Sequence, residues 1–407
     1  MTSKLLLAAF SASLLLGAAH GAMAADAAKP APVKLTPAVY KALVLAQTAN
    51  NKKDYPAALA ALEQAKAVPD RTPSDNYQIH HFAMFVHIGM QDMPGAATEA
   101  ETALDPDPSA VPEGEKAGMY KTALQLALMQ KHNDKATAYA KVLQTTTPPP
   151  DAETQSLIAS ALYRSGDYDG VIAIAQKNID AAKAAGKPPA KSDLNNIKNA
   201  QVNKKDEAGA EATLETIVAT YGEQQDWDEL SRVALTAKQM RDIDYVYMGR
   251  LIVAQSGKVK PEDATMVGSA ANSNKLALYG DAEAMQKFGG PAPDPRAAAD
   301  KKSLPKQIAD GAKSNGEYNV KTAEAAFGYG QYADAEKLAR DAKTKPGVKD
   351  PTEPDMVIAM SLAAQGKYAE AATIFDTIKP ANPASARVVR LWTYYAKTKA
   401  NPATAAK

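Results

Sequence analysis

The chain contains no cysteine among its 407 residues. Disulfide staples are excluded, and so is a lipid anchor on a cysteine following a signal sequence, so the fold rests on packing alone. At this length that is feasible, because a chain of several hundred residues buries most of its apolar surface. Histidine is scarce, with five residues, which leaves few candidates for general acid–base work. Nucleophile elbows, Walker loops, zinc-protease helices and calcium loops are missing. The lone Gly328-x-Gly330 falls at a helix–turn–helix corner and reads as a turn, and no carboxylate pair rises above ordinary solvated helix faces. We therefore expect no catalysis and no cofactor. Net charge is lacking too. Lys and Arg number 47 against 46 Asp and Glu, without basic blocks, so neither nucleic acid nor an anionic membrane is an expected partner.

One long apolar run is present, from Leu5 to Leu16, and it is shorter than the ~20 residues that a bilayer span requires. Lys4 precedes it and the small-residue triplet Ala22-Met23-Ala24 follows, which is the order of a secretory signal. The expectation is a signal peptide over 1–24 cleaved after about Ala24, and a soluble periplasmic product. No later segment is apolar enough to span a membrane.

What the chain does have is repetition. A Tyr-x-x-Ala step recurs, beginning at Tyr55, Met93, Asn133, Tyr168 and Glu207 and later at Asp281, Tyr332 and Tyr368. Small aliphatics stand three residues on: Ala58, Ala96, Ala136, Val171, Ala210, Ala284, Ala335 and Ala371. Four further on come Leu62, Ala100, Ala140, Ala175, Leu214, Phe288, Ala339 and Phe375. A three–four apolar rhythm is helical, and period-two runs of Val, Ile and Thr are missing. Close approach of two helices, at ~8–10 Å, demands the small side chain. The Gly or Lys before the tyrosine suits a left-handed helix cap.

These phrases, best written as Gly166-Asp167-Tyr168, Gly330-Gln331-Tyr332 with Ala335, and Gly366-Lys367-Tyr368 with Ala371 and Phe375, resemble the tetratricopeptide repeat. The resemblance implies an all-α fold, a right-handed superhelical solenoid of antiparallel helix pairs, covering most of Val39 to Ile378. It also implies a concave surface lined by the first helices of successive pairs, which takes a protein or peptide partner. Expected boundaries are a flexible tail at 25–36, a helical arm at 37–290 that is irregular from 221, a Pro/Gly-rich linker at 291–303, and a C-terminal block at 304–400. That block ends in a capping helix, Ala386 to Ala400, over the last apolar face. The stretch Tyr221 to Gly290, with Tyr221 and Trp227 ahead of an arginine-bearing helix at Val246 to Val253, resembles exported bacterial repeat proteins. Some of those are encoded beside TonB-type energy-transduction machinery.

Counting from the repeats, the inward-lining candidates are His81, Phe85 and Ile88; Lys121 and Gln125; Ser156, Ser160 and Tyr163; Asn195 and Asn199. Of these, His81, Phe85, Gln125, Tyr163, Asn195 and Asn199 are the expected partner-binding residues. Aromatic anchors bury apolar area, and amides offer both a donor and an acceptor to a peptide backbone. Some family members hold a carboxyl terminus with a lysine–asparagine clamp. Lys121 with Gln125 only approximates it, so that specificity does not carry over. The alternative reading is copper handling by His80, Met84 and His87, which share one helix face, imidazole with thioether being a copper donor set. Against it, the same face in other units is the inter-helix seam, where Met serves as a core filler.

Overall fold

The computed structural model describes residues 34–105 and 108–401. The signal-peptide expectation and most of the 25–36 tail lie outside the described residues. Among those described there are twenty α-helices and no strand. None of these helices is long and apolar enough to cross a membrane. The described residues form an all-α array of antiparallel helix pairs, as the repeat pattern predicts. The chain divides into two compact units, one ending at Ile174 and the other beginning at Ala175.

The first unit holds α1 (Pro37–Asn51), α2 (Tyr55–Lys66), α3 (Pro73–Gly89), α4 (Met93–Leu104), α5 (Glu113–Gln130), α6 (Asn133–Gln144) and α7 (Ala152–Ser165). Helix α8 (Tyr168–Ala184) carries the boundary. The second unit continues with α9 (Lys191–Asn203), α10 (Glu207–Tyr221), α11 (Gln224–Leu235), α12 (Asp242–Ser256), α13 (Pro261–Asn272) and α14 (Tyr279–Gln286). It ends with α15 (Ala297–Asp310), α16 (Gly316–Gly328), α17 (Tyr332–Ala342), α18 (Thr352–Ala364), α19 (Tyr368–Phe375) and α20 (Pro383–Ala400).

One local device builds the turns. Two residues before the second helix of a pair, the backbone enters the left-handed region: Lys53, Gln91, Lys131, Gly166, Lys205, Gly330 and Gly366 have φ between 58° and 80°. The next residue caps the helix. Asp54, Asp92, Asp167 and Asp206 each accept a backbone N–H three residues on, at 2.9–3.1 Å. The small residue follows at the seam. Ala58, Ala96, Ala136, Ala335 and Ala371 are fully buried, as are Leu62, Ala140 and Ala339 one turn later.

The same device corrects one register. Ala277 takes the left-handed conformation at φ 51° and α14 starts two residues later at Tyr279. The step there is Tyr279 with the fully buried Ala282, not Asp281 with the half-buried Ala284. A chance Ala at both positions hid the two-residue slip.

Two further expectations change. The stretch 291–303 is not a linker between separate bodies. Asn272 donates to the Ala292 carbonyl and accepts from the Asp294 N–H, α15 begins inside the stretch, and Val267 and Met285 share one core with Ala323 and Phe327. Proline and glycine here route the chain across a core rather than away from one. The last helix does more than cap. It covers α19, and it also packs on α10, α11, α12 and α18. Its indole, Trp392, is stacked on Phe375 with centroids 5.7 Å apart.

Candidate functional site

In the first unit the first helices are tied one to the next. Thr36, at the head of α1, donates its N–H and hydroxyl to Asp75 of α3 at 2.8 and 2.6 Å. Burial works against that carboxylate, yet the hydrogen bonds from Thr36 and Thr72 hold it below its ordinary range. Tyr77 of α3 donates to Glu115 of α5 at 2.9 Å. Lys121 of α5 donates to Glu153 of α7 at 2.6 Å. The second unit repeats the arrangement with Lys191 on Asp226 (2.6 Å), Lys198 on Glu229 (2.7 Å) and Lys321 on Glu353 (2.9 Å). The partners stand 31–39 residues apart, about one repeat. Reading side chains within single helices misses them; opposite charges one repeat apart are the signal that could have found them. Lys121 is thereby an inter-repeat tie, and the approximate clamp with Gln125 is not formed by a free lysine.

Beside these ties runs the expected face. Tyr77, His81 and Phe85, one turn apart on α3, form a ladder with centroid spacings of 5.0 and 4.9 Å. The His81 ring lies 3.6 Å from Glu115, but burial is the dominant influence and pushes its pKa down to about 4. The imidazole is therefore neutral at pH 7. Half-buried Gln125 follows Lys121 by one turn on α5. On α7, Ser156 and Ser160 are exposed, and Tyr163, 38% exposed, meets Tyr168 edge-on at 5.5 Å. His81, Phe85, Gln125 and Tyr163 thus stand on three consecutive first helices of one unit. Asn195 and Asn199 belong to the other unit, on α9, half-buried and exposed respectively.

The copper alternative meets occupied donors. His80 Nδ1 is 2.6 Å from Glu99, a carboxylate that Lys66 also reaches at 3.0 Å. His87 Nδ1 is 2.8 Å from Asp92, and Met84 is fully buried. These side chains fix the seam between α3 and α4.

The second unit conceals a charge cluster. Arg250 of α12 sends Nε and Nη2 to the two oxygens of Asp281 (α14), both at 2.8 Å. Its Nη1 donates to Glu324 Oε2 of α16 at 2.5 Å, and Nη2 also reaches the Glu324 carbonyl at 3.1 Å. Tyr247 donates to the remaining Glu324 oxygen at 2.5 Å. The guanidinium lies over the Phe327 ring, 4.3 Å from its centroid. Burial alone would depress Arg250, but Asp281 and Glu324 hold it charged and above its ordinary range. Trp227 and Arg250 are both buried, so the irregular stretch presents neither to solvent. Above the cluster is a cavity of about 310 Å³, closed in part by α20.

Helix α20 is held by further long-range contacts. Arg387 binds Glu211 through two hydrogen bonds, Arg390 donates to Glu215 at 2.8 Å, and Ser385 donates to Asp244 at 3.0 Å. Part of the surface of α10, α11 and α12 is therefore covered by the chain's own last helix.

No protein-family model matches the chain, and no curated protein matches it in sequence. Solved structures with a related arrangement include the TPR2AB domain–pHSP90 complex of yeast Sti1. It is 16% identical, with 70% of this chain and 99% of that chain covered and a TM-score of 0.26. Yeast Tom70 is 10% identical, with 90% of each chain covered and a TM-score of 0.25. At such identity and fit the likeness carries nothing about partners.

Proposed function

We propose that this protein is a non-catalytic interaction scaffold that binds a protein or peptide partner on the first-helix face of its first unit. The observation that supports this is the ladder Tyr77–His81–Phe85, with His81 and Phe85 half-buried, and Gln125 and Tyr163 on the next two first helices. Aromatic rings give apolar burial at low entropic cost, and an amide can fix a backbone. The ties at Glu115 and Lys121 pre-set the helix spacing, which lowers the ordering cost of binding. The aromatic ladder has no counterpart beside Asn195 and Asn199 on α9, so we place the partner site on the first unit.

A photo-crosslinking residue at Gln125 tests the reading, with the same residue at exposed Glu63 of α2 as control. The expected result is a discrete adduct from the Gln125 position that is lost in Phe85→Ala/Tyr163→Ala with helicity unchanged. Equal adducts from both positions, or retention in the double variant, would move the site elsewhere.

We further propose that the setting is periplasmic, on the strength of the Lys4, Leu5–Leu16 and Ala22-Met23-Ala24 order. The intact mass of the native protein should lack residues 1 to about 24; a mature chain keeping Lys4 would overturn export. A role in TonB-type transport or envelope assembly rests on the resemblance of the Tyr221 to Gly290 stretch. The identity of the crosslinked partner decides it.

A further inference from the structure

We propose that the cavity of about 310 Å³ in the second unit is a binding site for a small organic cation, an alkylammonium or quaternary ammonium group. Its walls include Arg250, Asp281, Phe327, Tyr332, Tyr368 and Trp392. That volume lies at the lower end of the range for small-molecule sites, ~300–1,000 Å³.

Charge selects the sign of the ligand. The guanidinium of Arg250 pairs with two carboxylates, Asp281 on the cavity wall and Glu324, which does not line it. Four of its five N–H groups are spent on these residues and on the Glu324 carbonyl. An anion would have to displace carboxylates held at 2.5–2.8 Å, and it would enter a cluster that already carries an excess negative charge. A cation meets the opposite field, strengthened where water is excluded. The flanking cations are engaged elsewhere, Lys321 on Glu353 and Lys367 near Glu336.

Ring faces select the kind of cation. Tyr332 and Tyr368 are the first residues of α17 and α19, so two successive repeats each place a tyrosine at the cavity. Trp392 arrives from α20 and completes the aromatic wall. Aromatic walls with a negative field favour a soft, weakly hydrated ammonium. Tyr332 is only half-buried, which leaves an approach from solvent.

Calorimetric titration of the full chain with choline chloride tests the proposal, with 3,3-dimethylbutan-1-ol as the uncharged probe of similar shape and sodium chloride as the ionic control. Choline should bind saturably, and the alcohol at least about fivefold more weakly. Tyr332→Ala should weaken choline about fivefold to tenfold, the equivalent of one lost ring contact, while Tyr332→Phe should retain it. Because Tyr332 is partly exposed, the variant is expected to fold, and its melting curve is recorded alongside. If Tyr332→Ala is unfolded, Tyr368→Ala takes its place with the same expectation. No saturable choline heat up to about 50 mM, equal binding of the alcohol, or undiminished binding by the ring-deletion variant overturns the assignment. The outcome is independent of the first-helix face, since all lining residues lie in the second unit.

Discussion

The indole N–H of Trp392 donates to the backbone carbonyl of Tyr247 at 3.1 Å, across 145 residues of chain. With Ser385 on Asp244, that bond joins the last helix to the helix carrying Arg250. Truncating the fully buried indole leaves a large void and removes a second hydrogen bond from a carbonyl that is already part of the α12 ladder. Trp392→Ala should lower stability by about 3–5 kcal/mol. Urea unfolding followed by helicity measures it, and a loss below about 1 kcal/mol would show that α20 is peripheral.

The register at α14 is tested by two nearby substitutions. Ala282→Arg forces a charged chain into a site with no free volume, and should destabilise by at least about 1–3 kcal/mol through overpacking, with the cost of a buried charge added. Ala284→Arg, on a half-buried position, should be tolerated more readily. Ala335→Arg and Ala371→Arg should behave like Ala282→Arg. The reverse order at 282 and 284 would restore the register read from sequence.

Removing Arg250 strands two carboxylates. Arg250→Met should lower stability at pH 7 by about 3–5 kcal/mol, because an unpaired buried charge is the dominant penalty. Urea unfolding at pH 7 measures the loss, and a deficit below about 1 kcal/mol would show that the cluster does not hold the unit together.

His81 sets a pH dependence in the first unit. Its folded pKa, near 4, lies below the ordinary 6.5, so the unfolded chain takes up a proton first. Its contribution is intact above about pH 6.5 and is lost progressively as pH falls towards 4. His81→Gln should flatten the acid limb of the melting profile between those values. An unchanged limb would mean that the imidazole is charged in the folded protein, paired with Glu115.

Much of the fold is legible in the sequence because tight turns and helix seams tolerate few residue types. Small residues such as Ala96 and Ala335 announce a seam, and Gly330 or Gly366 announces a left-handed turn. Lys53, Gln91 and Lys131 adopt the same backbone without glycine, and so give a weaker signal. The ladder on α3 is visible at His81 and Phe85, because one helix face is local. Arg250 reads only as a residue on a helix. Its partners lie 31 and 74 residues away, and the second of those separations spans about two repeats, beyond the nearest neighbour. The fold-back of α20 is unreadable for the same reason. An amphipathic last helix looks identical whether it caps one neighbour or five.

The contacts of α20 also bear on the order in which the molecule comes into being. In the first unit the ties between repeats span about one period, so neighbours can pair soon after they are made. In the second, Glu211, Glu215, Asp244 and Tyr247 wait for partners 141–179 residues downstream. During synthesis those acidic groups and the apolar wall beside Tyr247 remain uncovered until Arg387, Arg390 and Trp392 emerge. Non-local closure of this sort slows folding and prolongs exposure of sticky surface. The second unit is therefore the portion whose nascent form most needs shelter, whether from a chaperone or from whatever accompanies the chain to its destination.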